Sequence, residues 1–150
     1  MHRAQQILEA VEAKLAASTT LGAGVYLYRE LSLSDADQEL PAVCIRPGSD
    51  EPLSDFTSTN LRFIDSLLEV RLVALAAGSD ERSSAEELLR LRVETHKALL
   101  ADTTLGLSFV IDCRYGGAAA PDMEQATGGN GASVEMTFRV LYRMNLADPS

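Results

Sequence analysis

The chain has 150 residues, 46% of them hydrophobic, and a formal charge of −9. That length suits one domain with a real core, and no apolar run reaches the ~18 residues that a membrane span needs. The acidic balance argues against a surface wrapped on nucleic acid, which needs clustered Lys and Arg.

An acidic wall can instead repel phosphate and let a duplex slide past, although a solvated surface that aids solubility is the plainer reading. The opening Met1-His2-Arg3-Ala4-Gln5-Gln6 holds one Arg and no continuous apolar block, so a secretory signal is not expected.

Residues 3–17 predict the first helix, because Ile7, Leu8, Val11 and Leu15 fall on one face. It should end near Ser18, where Ser-Thr-Thr, Gly22 and Gly24 follow. Val25 to Leu31 has strand propensity, with Tyr26 and Tyr28 on one side and Val25, Leu27 and Leu31 on the other. The acidic stretch Ser32 to Glu39 connects to Pro41, which a strand tolerates at its first residue, and to a short strand over 42–46. Pro47-Gly48 should close that strand and open a long polar loop over 47–60, in which Phe56 is the one large apolar residue.

Leu61 to Ala76 reads as one long strand. Its face of Leu68, Val70, Leu72 and Ala74 should meet the helices, and Glu69 and Arg71 on the other face should be open to solvent or a partner. Its length implies an arm of a hairpin reaching beyond the sheet. After Gly78-Ser79-Asp80, Ser84 and Glu87 form the expected capping box of a second helix. Glu86 and Glu87 complement its positive end, Lys97 lies near the other, and Leu88, Leu91, Thr95, Ala98 and Leu99 form its inward stripe.

A strand over 107–115 follows, with Leu107, Phe109, Ile111 and Cys113 on one face. The glycine-rich 116–131 reads as a flexible tip. In the last strand, 132–144, Val134, Met136, Phe138, Val140 and Tyr142 point in. Ser133, Glu135, Thr137, Arg139 and Arg143 point out, and only Leu141 breaks the alternation. Residues 145–150 make a short tail.

A helix–TTLG–strand unit occurs twice: Leu15 to Gly22 reads L-A-A-S-T-T-L-G and Leu99 to Gly106 reads L-L-A-D-T-T-L-G. The element order is α-β-β-β-α-β-β. The expected fold is α+β, a single domain over 1–150 with a mainly antiparallel or mixed sheet, two helices packed on one face and the polar face left free.

The chemistry-bearing residues do not form a catalytic pattern. No Gly-rich phosphate loop follows a strand and opens a helix. His2 is terminal, and His96 has no His or Cys at metal spacing. Asp35, Asp37 and Glu39 alternate in a loop, as solvated acids do. Cys44 and Cys113 sit in apolar strand patterns and read as buried reduced thiols, with a disulfide open if their strands are neighbours. The expectation is a non-enzyme with no cofactor and no metal.

Several stretches carry a family resemblance. They are the helix I-L-E-A-V-x-A-x-L, the strand V-Y-x-x-R, the segment E-L-P-A-V-C-I-R-P-G and the strand L-L-E-V-R-L-V-A-L-A. The helix A-E-E-L-L and the closing S-V-E-M-T-F-R-V-L-Y-R complete the set. In this order they resemble the tail terminator proteins of long-tailed, siphovirus-like bacteriophages, over nearly the whole chain.

The resemblance implies a virion protein assembled in the host cytoplasm into a homohexameric ring. The ring would cap the tail tube, stop addition of tail tube protein and present the surface that joins the head-tail connector. Genomic DNA would pass through its lumen without sequence-specific binding. Sheet-face reasoning then assigns Glu69, Arg71, Arg139 and Arg143 to subunit or tube contacts. The loops 47–60 and 116–131, with Asp50, Glu51, Asp55, Phe56, Asp122 and Glu124, are assigned to axial or luminal contacts. The alternatives are a head-completion or connector protein and, from another class, a dimeric α+β domain that binds a small molecule.

Overall fold

A computed structural model describes residues 1–31, 40–53, 62–126 and 129–150. Two helices, α1 (Arg3–Ala16) and α2 (Glu81–Leu100), accompany six strands: β1 (Gly24–Leu27), β2 (Ala42–Pro52), β3 (Phe63–Gly78), β4 (Val110–Ala118), β5 (Asp122–Ala126) and β6 (Gly129–Asn145). The sheet runs β1-β2-β3-β6-β4, and β5 pairs with β6 beyond the end of β4. β1 is parallel to β2 and every other pairing is antiparallel. The fold is the α+β layer arrangement expected, with β5 as an added strand.

Strand periodicity sorts the two faces of the sheet. Leu68, Val70, Leu72 and Ala74 of β3 align with Val140, Phe138, Met136 and Val134 of β6, and all eight are buried. Ile7, Leu8, Val11 and Leu15 of α1 and Leu88, Leu91 and Leu99 of α2 close the same core. At ~25 cal/mol per Å² of apolar area removed from water, this layer is the main source of stability. Each helix reads on its inner face as its spacing predicts, except that Ala98 is only half-buried.

Several boundaries differ from the sequence reading. β1 stops at Leu27 because Tyr28 takes a positive φ of 62°, which a ladder cannot continue. β2 runs through Pro47-Gly48 to Pro52, with a bulge between Pro47 and Asp50. β1 covers it only as far as Ile45, and beyond that point no described strand pairs with that edge of β2, where proline is tolerated.

β3 does not protrude as a hairpin arm, since all sixteen of its residues pair with β6. α2 is capped by Asp80, whose carboxylate accepts from Ser83 N at 2.7 Å, with Ser83 completing the box. Ser84 is buried in the first turn and donates its hydroxyl to the Asp80 carbonyl at 3.0 Å. In β4 a bulge between Val110 and Asp112 reverses the phase. Val110 and Cys113 therefore point in and Ile111 points out, 44% exposed. The expected tip at 116–131 holds β5 and the start of β6 instead.

The repeated TTLG turns occupy opposite borders of the sheet, one leading into β1 and the other into β4. Gly22 (φ 59°) closes the first, and Leu105 (φ 54°) with Gly106 (φ 73°) closes the second. Their leucines, Leu21 and Leu105, are both buried in the common core.

Each turn is tied to the helix of the other unit. Arg90 of α2 donates to the carbonyls of Thr20 and Leu21 at 2.8 and 2.9 Å, while Glu87 holds its guanidinium at 2.6 Å. Lys14 of α1 stands 3.8 Å from Asp102, whose carboxylate accepts from the Thr104 amide and hydroxyl.

Cys44 and Cys113 are free and buried, on opposite faces of the sheet: Cys113 in the main core, Cys44 in a small second cluster. Their strands are three steps apart, roughly 14 Å at ~4.8 Å per step, beyond the ~7 Å that a disulfide spans. Burial pushes the Cys113 thiol up to about 11 and raises Cys44 as well. Neither thiol should react with a mercaptide or disulfide reagent in the native state, and both should titrate after denaturation. A single fast-reacting thiol in the folded protein would contradict this placement.

The Arg90 hydrogen bonds hold the Glu87 carboxyl below its ordinary value of 4.5. A depressed acid stabilises the fold above its unfolded pKa, and that contribution is lost as pH falls through the folded value. Glu87→Gln should therefore lower stability at neutral pH and flatten the acid limb below about pH 4.5. Denaturant midpoints across that range measure both effects.

Candidate interaction face

The helices cover one side of the sheet, and the other side carries the residues singled out for contacts. Along β3 and β6 the cross-strand pairs on that face are Asp65–Arg143, Leu67–Leu141, Glu69–Arg139, Arg71–Thr137 and Val73–Glu135. The strand period of two places them there, because their neighbours are the buried core residues. Glu69, Arg71, Arg139 and Arg143 thus share one surface, as the sequence implied.

Their ion pairs are lateral and solvent-exposed. Arg143 forks onto Asp65 at 2.8 and 3.3 Å. Arg71 lies 3.8 Å from Glu69 and 3.7 Å from Glu135, and Ser49 donates to Glu69 at 3.2 Å. Arg139, opposite Glu69 in register, is exposed and forms no ion pair among the described residues. Pairs of this exposure contribute little to stability, so the charges are available to orient a partner.

The sequence marked this face as mixed, through Leu141, without showing that its apolar residues gather in one place. Leu53, Leu67, Ile111 and Leu141 floor an open groove of about 570 Å³, rimmed by Arg114 and Arg139. Leu53 is 57% exposed. The signal was Leu141, the one break in the alternation of the last strand. Ile111 gave none, because its outward position depends on the β4 bulge.

At the β1 end the face is not open. Ala42, Cys44 and Leu75 are buried there, with Tyr26, Leu31, Leu40 and Val73 packed against them. The expectation that the polar face is left free is corrected at this end.

The loop-contact residues divide. Asp50 lies in β2 and faces the core side, accepting from the Tyr142 hydroxyl at 2.7 Å and from Ser66 at 2.9 Å. Tyr142 is fully buried, and burial followed by the Asp50 carboxylate raises its pKa, so it stays protonated and donates. Asp50 therefore satisfies a buried hydroxyl.

Glu51 pairs with Leu67 on the open-face side of β2. Asp122 lies in β5 opposite Ser133, ten residues of β6 from Arg143, or roughly 34 Å along a strand. Glu124 lies in β5 opposite Gly131, with its side chain outside the described residues. Asp55 and Phe56, like Asp35, Asp37 and Glu39, lie outside the described residues.

Among the described residues no group of three or more His, Cys, Asp or Glu is placed to hold a metal. No described helix is long and apolar enough to cross a membrane. His96 is exposed, and its ring meets the edges of Tyr115 and Phe138 at centroid distances of 5.2 and 6.1 Å.

Comparison with known proteins adds a likeness of fold. No family model matches the chain, and no curated protein matches it. Among solved structures, a chain of the "virion of native gene transfer agent (GTA) particle" superposes with a TM-score of 0.57 at 11% identity. The match covers 91% of this chain and 94% of that one. At that identity the likeness is one of architecture.

The two classes of polar residue should separate on substitution. Asp50→Ala leaves the buried Tyr142 hydroxyl short of an acceptor and should cost about 1–3 kcal/mol. Arg139→Ala should leave the denaturation midpoint nearly unchanged, because its exposed side chain forms no ion pair among the described residues. Chemical denaturation of both variants checks the contrast.

Proposed function

We propose that this chain is a structural subunit of a phage-like virion, and specifically a tail-terminator-like ring component. In this reading the ring closes the tail tube, ends addition of tube subunits and offers the surface that joins the head. The observation that carries the reading is the end-to-end fold likeness to a virion particle chain, in which nearly all of each chain takes part. The family resemblance of the sequence points the same way.

The open sheet face supplies the kind of surface such a role needs. It combines an apolar groove with exposed, laterally paired charges, so it can bury area while the charges fix orientation. The mechanism is templated assembly without bond chemistry, so the chain acts as a non-enzyme, in the virion, on the tail tube and connector proteins. The net charge of −9 suits a lumen through which DNA passes without adhering.

Deleting the gene tests the reading. Overlong tails that fail to join heads are expected under electron microscopy. Finished tails beside leaking heads would identify a head-completion protein instead, and a stable dimer holding a bound metabolite would overturn the virion reading. Leu141→Asp, which places a carboxylate in the apolar groove, should fold normally yet fail to restore tail length in the deletion strain.

A further inference from the structure

The helix layer is narrower than the sheet beneath it. With strands ~4.8 Å apart and packed helices ~10 Å apart, two helices roof about four strands, and the main path of this sheet has five. α1 packs on β1 and β2, and α2 packs mainly on β3 and β6 and reaches β4 only at its margin. Cover therefore runs out at β4.

An open groove of about 650 Å³ lies there, beside α2. Leu89, Val93, Tyr115 and Met136 make it apolar, and Leu89 and Val93 are 55% and 50% exposed. Its polar lining is Arg92, which donates to the Tyr115 hydroxyl at 3.1 Å, His96, and Lys97, whose ammonium lies 3.4 Å from Glu94; no carboxylate is among the described residues that line it. This is a cationic border on a chain whose net charge is −9.

The opposite border has the complementary character. Lys14 marks the flank of α1 that faces the α2 end of the molecule, through Asp102. Helical spacing places Gln5, Glu9, Glu12 and Ala16 on the other flank, beyond which the sheet ends at β1. Glu9 is exposed and Glu12 half-buried, and Gln5 donates to Glu9 at 3.2 Å. One border is thus a helix edged with acids, and the other is an open apolar groove edged with bases.

We propose that α1 of a second copy lies in the groove beside α2, with Glu9 and Glu12 meeting Arg92 and Lys97, so that copies join head to tail. The seam would continue both layers, placing each α1 where the neighbouring sheet lacks a roof. Because it joins two different surfaces, it repeats and closes into a ring when the rotation per copy allows. The inference rests on the reading of the chain as a ring subunit. It supplies the lateral contact and leaves the open sheet face for axial partners.

Cysteine pairing tests the seam in the full chain, since Cys44 and Cys113 are buried. A chain carrying both Glu9→Cys and Arg92→Cys should, under mild oxidation, give a ladder of covalent oligomers. Each single variant should remain monomeric on non-reducing gels, and the two mixed should give only a one-to-one product. No ladder at any concentration up to the solubility limit would overturn the proposal, as would dimers of Arg92→Cys alone, which would mean that two α2 grooves face each other.

Charge reversal adds a second readout. Arg92→Glu should abolish crosslinking between Glu12→Cys and Lys97→Cys chains, and adding Glu9→Arg to the partner chain should restore it. Loss without restoration would overturn the charge pairing. A protein that gives the ladder, and whose deletion leaves tails normal, would refute the tail-terminator reading and keep the seam. Normal capping by protein that never crosslinks would do the reverse.

Discussion

Sixteen consecutive residue pairs between β3 and β6 set the terms for everything else in this protein. The two strands are far apart in sequence, with α2, β4 and β5 between them, so the ladder closes a long loop before it gains any contact. Once formed, its register decides the side of every side chain on both strands. A slip of β6 by one residue against β3 would turn Phe138 and Val140 out to solvent and bring Arg139 into the core. The apolar cost of that exchange is what pins the register, and the charges on the far side inherit their positions from it.

The repeated helix–TTLG–strand unit works within this constraint. Its two strands take opposite borders of the sheet and its two helices share one face, which a duplicated unit allows without touching the central ladder. The cross-ties are what make the two units one domain. Arg90, held by Glu87, closes the first turn with two charge-assisted bonds to carbonyls that would otherwise need water. Lys14 and Asp102 form a weaker, more exposed counterpart at the second turn.

What remains after the core is built is a molecule with two kinds of unfinished surface. On the sheet side, Leu67 and Leu141 face each other across the central strands and extend to Leu53 and Ile111 at the margins. On the helix side, Leu89 and Val93 border sheet that no helix covers. The two grooves approach each other around β4, where Tyr115 lines both. β4 itself is bulged twice and carries the charged Asp112 and Arg114, features that discourage direct strand addition at an exposed edge. Contacts at this border therefore favour side chains over backbone ladders.

Much of this was readable from the chain alone, wherever a period ran unbroken. The faces of α1, α2, β3 and β6 followed from spacing, and with them the common surface of Glu69, Arg71, Arg139 and Arg143. Spacing could not place Ile111, Asp50 or the end of β1, because each depends on a local break. Ile111 turns on a bulge that the partner strand stabilises, and Asp50 turns on a bulge that aims it at Tyr142. The end of β1 turns on the left-handed Tyr28. The α2 cap also went to Asp80 and Ser83, since Ser84 is drawn inward by burial against the sheet. Periodicity is a property of a segment and survives in sequence. Bulges, edges and uncovered sheet are properties of neighbours, and only the tertiary structure decides who those neighbours are.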